Sequence, residues 1–132
     1  MATNLFRVIV PVTDIDAAAA FYTAILDVTH ERVSPGRHYF QTQGAILAIV
    51  DSGADGEERT SRPNFDHIYL SVDDLDAVYA RCRAAPGATF DVAGQQPGIA
   101  QRPWGERSFY VQDPFGNPLC FVQTGTEFTR AR

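Results

Sequence analysis

Val8-Ile-Val-Pro-Val-Thr-Asp-Ile-Asp-Ala-Ala-Ala-Ala20 is written a second time, 60 positions on, as Ile68-Tyr-Leu-Ser-Val-Asp-Asp-Leu-Asp-Ala-Val-Tyr-Ala80. At that offset Val12/Val72, Asp14/Asp74, Asp16/Asp76, Ala17/Ala77 and Ala20/Ala80 are identical, and Ile15 faces Leu75. A second match, at an offset of 72, sets Gly44-Ala-Ile-Leu-Ala-Ile-Val50 on Gly116-Asn-Pro-Leu-Cys-Phe-Val122, so the second copy carries about a dozen extra residues. Self-similarity at a fixed offset means that one structural unit is used twice. Each copy opens with period-two alternation, Phe6 to Val12 and Ile68 to Val72, and switches to helical spacing after an Asp suited to cap a helix. Ile15, Ala18, Tyr22 and Ile25 form one apolar helix face; Leu75, Val78, Tyr79 and Cys82 form the other.

Working outward, strands are expected near Arg37 to Thr42 and Ala45 to Val50, and in the second copy near Thr89 to Val92, Arg107 to Gln112 and Leu119 to Gln123. Asp113-Pro-Phe-Gly116 has the Pro and Gly placement of a type I turn and predicts a hairpin. Each copy reads βαβββ, the first strand after each helix being the least marked. The fold class is therefore α+β, in one domain over 1–132: a first module at about 5–51, a linker at about 52–63 and a second module at about 64–123. The linker, Ser52 to Pro63, carries Asp55, Glu57, Glu58, Arg59 and Arg62 and reads as a solvated loop.

The 132 residues are 45% hydrophobic and 20% charged, the composition of a folded domain large enough to need no disulfide or metal for its core. All 11 basic residues are arginine, which excludes a Schiff-base lysine and a phosphate-binding P-loop. The net charge of -5 and the scattered arginines argue against a nucleic-acid partner. Apolar runs are too short for a membrane span, and no basic segment followed by an apolar one opens the chain. Cys82 and Cys120 form neither a disulfide framework nor a C-x-x-C metal pair. A cytoplasmic protein is expected.

The tandem βαβββ pattern, with Val12-Thr-Asp-Ile-Asp16 before a helix containing Phe21-Tyr22, the second Val72-Asp-Asp-Leu-Asp76, then Trp104-Gly105 and Asp113-Pro-Phe-Gly-Asn117, resembles the vicinal oxygen chelate superfamily. That group holds glyoxalases, extradiol dioxygenases, fosfomycin-modifying enzymes and bleomycin-resistance proteins. The resemblance runs from about Leu5 to Gln123. It implies a curved mixed sheet around one cavity, helices on the convex side, and a homodimer. It also implies where a divalent metal would be held: seven residues before the capping Asp, at Arg7 and His67, and on the last strands at Ala48 and Cys120. Only His67 is a usual ligand there, and Arg7 is a permanent cation where the metal's charge would lie. Neither metal nor other cofactor is expected. An atypical site of His67, Cys120 and His38 would lack a carboxylate.

With Val8, Val10 and Val12 under the first helix, Arg7, Ile9 and Pro11 face the cavity, and by the repeat so do His67, Tyr69 and Ser71. Ile46, Ala48 and Val50 join them, as do Cys120 and Val122. Counting back from the Asp113 turn adds Tyr110 and Ser108, with His38 as the first-copy counterpart of Tyr110, and Trp104 is a further wall candidate. Phe6, Phe21, Phe109 and Phe121 are expected in the core, and His30 in an exposed loop. Cys120 beside His67 has the composition of a nucleophile and base, against the blander reading of a small buried hydrophobe. Glu106 beside Arg107 reads as a loop ion pair rather than a general base. Asp14/Asp16 and Asp74/Asp76 are read as helix caps.

An aromatic lining with a cationic point suits a planar or anionic small molecule. The first functional expectation is a metal-free protein of the bleomycin-resistance kind that sequesters a metabolite or antibiotic. The alternative is a glyoxalase- or dioxygenase-like enzyme, a lyase, epimerase or oxygenase. A third is a dimeric domain whose cavity is closed by side chains.

Overall fold

Asp14 and Asp74 decide where strand becomes helix in both copies. Each leaves the helical region of backbone space and accepts a hydrogen bond from the amide three residues on, Ala17 N–H and Ala77 N–H, both at 3.1 Å. The computed structural model describes residues 1–58, 61–90 and 98–129, and the chain divides into two units, Met1–Asn64 and Phe65–Arg132.

Unit one runs β1 (Arg7–Pro11), α1 (Ile15–Leu26), β2 (His30–Ser34), β3 (Arg37–Gln41) and β4 (Ile46–Val50). Its four-stranded sheet has the order β1-β4-β3-β2, with β1 parallel to β4 and the other pairs antiparallel. Asp27, in the left-handed region at φ 52°, ends α1. The register aligns Val8 with Leu47 and Phe40, and Val10 with Ile49, on one face. The face of α1 made by Ile15, Ala18, Tyr22 and Ile25 is buried, with the Tyr22 and Phe40 rings 6.1 Å apart.

Unit two repeats the plan with β5 (Ile68–Val72), α2 (Leu75–Ala84), β6 (Ala100–Gln101), β7 (Arg107–Gln112) and β8 (Pro118–Gln123), in the order β5-β8-β7-β6. Leu75, Val78 and Cys82 of α2 are buried, and Phe109 and Phe121, stacked at 5.3 Å, form the core beside Tyr79. The hairpin turn is as the sequence predicts, with Gly116 N–H bonding Asp113 C=O at 3.1 Å. Asp113 Oδ1 also accepts from the amides of Phe115 and Asn117, and Asp113 Oδ2 from the Asn117 side chain at 2.9 Å, which satisfies two buried polar residues at once.

Three expectations are corrected. Among the described residues the second strand of unit two is β6; Thr89 makes only an isolated bridge to Gln112, and Asp91 and Val92 lie outside the described residues, as does Arg59 of the linker. The linker is not wholly solvated: Gly53–Asp55 is a 3-10 turn, and Asp55 folds back to accept from Ser34 Oγ at 2.9 Å and Gly36 N–H at 2.7 Å. Phe6 is exposed rather than core, because it precedes β1 and lies under the Arg7 guanidinium, 4.8 Å away. Phe21, Phe109 and Phe121 are buried as expected.

Candidate functional site: the sheet faces away from the helices

In unit two the face turned away from α2 carries a row of three side chains, one from each neighbouring strand: Tyr69 on β5, Cys120 on β8 and Tyr110 on β7. The next row adds Ser71, Val122 and Ser108. His67, just before β5, sets its ring edge-on to Tyr110 at 5.0 Å and near Tyr69 at 6.3 Å. The period of two therefore delivers His67, Tyr69, Ser108, Tyr110 and Cys120 to one surface, as the sequence predicts. Burial lowers the His67 pKa from its ordinary value, partly opposed by the Asp66 carboxylate, so the imidazole is neutral near pH 7. Its Nε2 is buried and has no hydrogen-bond partner among the described residues.

Burial raises the pKa of both Tyr69 and Tyr110, which keeps the phenols protonated and able to donate. It also pushes the Cys120 thiol up to about 11, against weaker opposing effects of Ser108 and Arg102. A thiol that stays protonated at neutral pH is a poor nucleophile, so Cys120 packs with Tyr110 and Val122 instead. Cys82, on the inner face of α2, is likewise held up at about 12 by burial.

The sequence reading missed Arg102. It is 7% exposed, donates from Nε to Ser108 Oγ at 2.9 Å and from Nη2 to Ser108 C=O at 3.0 Å, and holds its guanidinium 4.7 Å from the Tyr110 ring centre. Only the pairing of β6 with β7 brings it there, and the inserted stretch has no alternation from which that register could be read. Trp104, in the turn that follows, is half-exposed and donates its indole N–H to Glu106 at 2.8 Å. Arg107 reaches across to Asp76 instead of pairing with Glu106, which corrects the expected loop ion pair.

In unit one the corresponding face carries Ile9, Ala48 and Tyr39 in one row. Arg7 lies over the Tyr39 ring at 5.3 Å, and Arg37 donates to the Tyr39 hydroxyl at 2.9 Å. Pro11 and Val50 border a cleft of about 240 Å³ with Ser61, Arg62 and Asn64 of the linker.

His38 is on the other face, aligned with Ile49 and Val10, and Tyr39 is the true counterpart of Tyr110. The reason is one residue in a turn. Gln41 pairs with Ile46 across four residues, whereas Gln112 pairs with Pro118 across five, so the offset falls from 72 on the last strands to 71 on the preceding ones. A slip of one inverts a strand. His38 instead accepts from Arg32 Nε at 3.1 Å and meets His30 Nδ1 at 2.8 Å, so His30 is an exposed strand residue with a partner rather than a loop residue.

The superfamily's metal positions do not fit a metal here. Arg7 and Ala48 supply no donor, Cys120 retains its proton, and His67 is left without a carboxylate; among the described residues no three His, Cys, Asp or Glu cluster to hold an ion. His38, facing the opposite side of its sheet, cannot complete a set with them. No helix is long and apolar enough to cross a membrane among the described residues.

Comparison with known proteins agrees with this architecture. The chain resembles a glyoxalase-related enzyme from Fulvimarina pelagi at 21% identity and a TM-score of 0.73, covering 99% of this chain and all of that one. It is 25% identical to the oxidase ChaP-H2, with a TM-score of 0.71 over 93% of this chain and 94% of that one. A putative glyoxylase, CFP32, of Mycobacterium bovis is 30% identical over 91 residues, 65% of this chain. The chain spans about a third of the length of the curated relatives it matches. The family model described as Glyoxalase/Bleomycin resistance protein/Dioxygenase superfamily matches residues 4–121, and to that superfamily this chain belongs.

Proposed function

We propose that the protein binds and sequesters a small, planar or anionic, oxygen-bearing metabolite or antibiotic on the sheet face of unit two turned away from α2, without a metal. The observation that carries this reading is the buried His67 Nε2, without a hydrogen-bond partner among the described residues, beside two aromatic rings. A desolvated polar atom without a partner is unfavourable in the free protein and is satisfied when a ligand meets it. Tyr69 and Tyr110 supply flat apolar surface and protonated hydroxyls, and the neutral imidazole donates to or accepts from a ligand oxygen. The protein acts, on this reading, in the cytoplasm and as a homodimer, which covers exposed sheet edges and which sedimentation checks.

Native mass spectrometry of protein taken from its own host tests the reading. Wild-type protein is expected to retain a small molecule that His67→Ala releases; equal retention by both, or none by wild type, overturns it. The second reading is a glyoxalase- or dioxygenase-like enzyme acting on a small oxygenated substrate. It is favoured by the 25% identity to an oxidase and by the putative glyoxylases among the relatives. Turnover of the released molecule by wild-type protein would select it.

A further inference from the structure

We propose that Arg102 is the anion anchor of this site, and that the ligand is a planar acid whose oxyanion meets the guanidinium edge that Ser108 leaves unused. The inference rests on the binding reading above, narrows its ligand to an acid and names the residue that selects it.

Arg102 is more than nine-tenths buried, yet no carboxylate lies within ion-pair distance of it among the described residues. A buried charge without a counter-ion is costly, and an arginine cannot relieve that cost by losing its proton. Ser108 takes only two of the five N–H donors, through Nε and Nη2. The nearest acid in sequence, Glu106, is occupied by the Trp104 indole and the Phe128 amide.

The guanidinium is also held in place. Its backbone is pinned on both sides, Arg102 N–H to Glu106 C=O at 2.7 Å and Gly105 N–H to Arg102 C=O at 2.9 Å. Its Cζ lies over the Tyr110 ring, the ring that His67 contacts edge-on. A fixed fork beside an aromatic wall is the arrangement that receives a carboxylate or phenolate on a flat skeleton. The guanidinium and the phenols are able to donate toward such an oxyanion, against the repulsion of the Glu106 carboxylate, whose charge reaches Tyr69, Tyr110 and Cys120.

The test uses the full chain and four planar acids with their neutral amides: benzoate, salicylate, anthranilate and 1-naphthoate. Binding is followed by amide chemical shifts of Ser108, Tyr110 and Cys120. Wild-type protein is expected to bind at least one acid roughly ten- to a hundredfold tighter than its amide, the range for a hydrogen bond to a charged partner. Arg102→Gln should bring that ratio to about one while amide binding persists, and Arg102→Lys should keep part of the preference. A purely structural brace between β6 and β7 would lower the melting temperature of Arg102→Gln without changing the ratio. Equal binding of acid and amide by wild type, or an unchanged ratio in Arg102→Gln, overturns the anchor and leaves the binding reading standing. Failure of all eight compounds to bind overturns both.

Discussion

His38 shows how one side chain's surroundings fix its protonation state. Burial chiefly, then the Arg32 cation and His30, lower its pKa from the ordinary value. Arginine only donates, so Arg32 Nε–H requires an unprotonated Nδ1 on His38, which places the proton on Nε2 and directs it to His30 Nδ1. Arg32 is held in turn by Asp16 of α1 at 2.9 Å, and the His30 ring stacks on Phe40. Protonating His38 would oppose two N–H groups. Because the folded pKa lies below the unfolded one, the unfolded chain takes up its proton first as pH falls. Stability from this group is full above about pH 6.5 and declines as pH drops through that value. Melting temperature should fall between pH 7.5 and 5.5, and His38→Gln should flatten the slope, leaving the part due to His67, whose pKa is lowered too. An unchanged slope in His38→Gln would remove His38 from the account.

At the scale of elements, the β2–β3 hairpin depends on a close approach that only glycine permits. A Cβ at Gly36 would stand 2.1 Å from Asp51 C=O and 2.9 Å from the Asp55 side chain, and Gly36 C=O already accepts from Asp51 N–H at 2.7 Å. The obstruction is backbone, so a methyl group must displace the β4 end or the 3-10 turn. Gly36→Ala should cost about 1–3 kcal/mol in urea unfolding. Gly53→Ala, whose nearest contact is 3.6 Å, should stay within about 0.5 kcal/mol of wild type. Similar losses in both would mean that the hairpin tolerates the shift.

For the molecule as a whole, each unit has two sheet faces: one packs against its helix, and the other carries Tyr39 in unit one and Tyr69, Tyr110 and Cys120 in unit two. Residue 7 or 67 lies against the tyrosine of the third strand in both units, as Arg7 on Tyr39 and His67 on Tyr110. The repeated position thus retains its place while its chemistry has changed from cation to imidazole. Since Arg7, Ala48 and a protonated Cys120 occupy three of the superfamily's four metal positions, purified protein should carry no stoichiometric Zn, Ni, Mn or Fe. Chelator should leave its melting temperature unchanged. About one metal per chain, or a chelator-induced drop, would contradict this.

The sequence by itself determined the repeat, both helix caps, the Asp113 turn and the set His67, Tyr69, Ser108, Tyr110 and Cys120 on one sheet face of unit two. These depend on short-range physics: period two or 3.6 within an element, and a capping side chain three residues from its amide. Tertiary structure decided what depended on pairing between strands. A turn shorter by one residue exchanged His38 for Tyr39, and a two-residue strand in the insertion set Arg102 on Tyr110. Register across a sheet is fixed by backbone bonds between segments distant in sequence, and no local pattern records it where a turn changes length or a strand is too short to alternate.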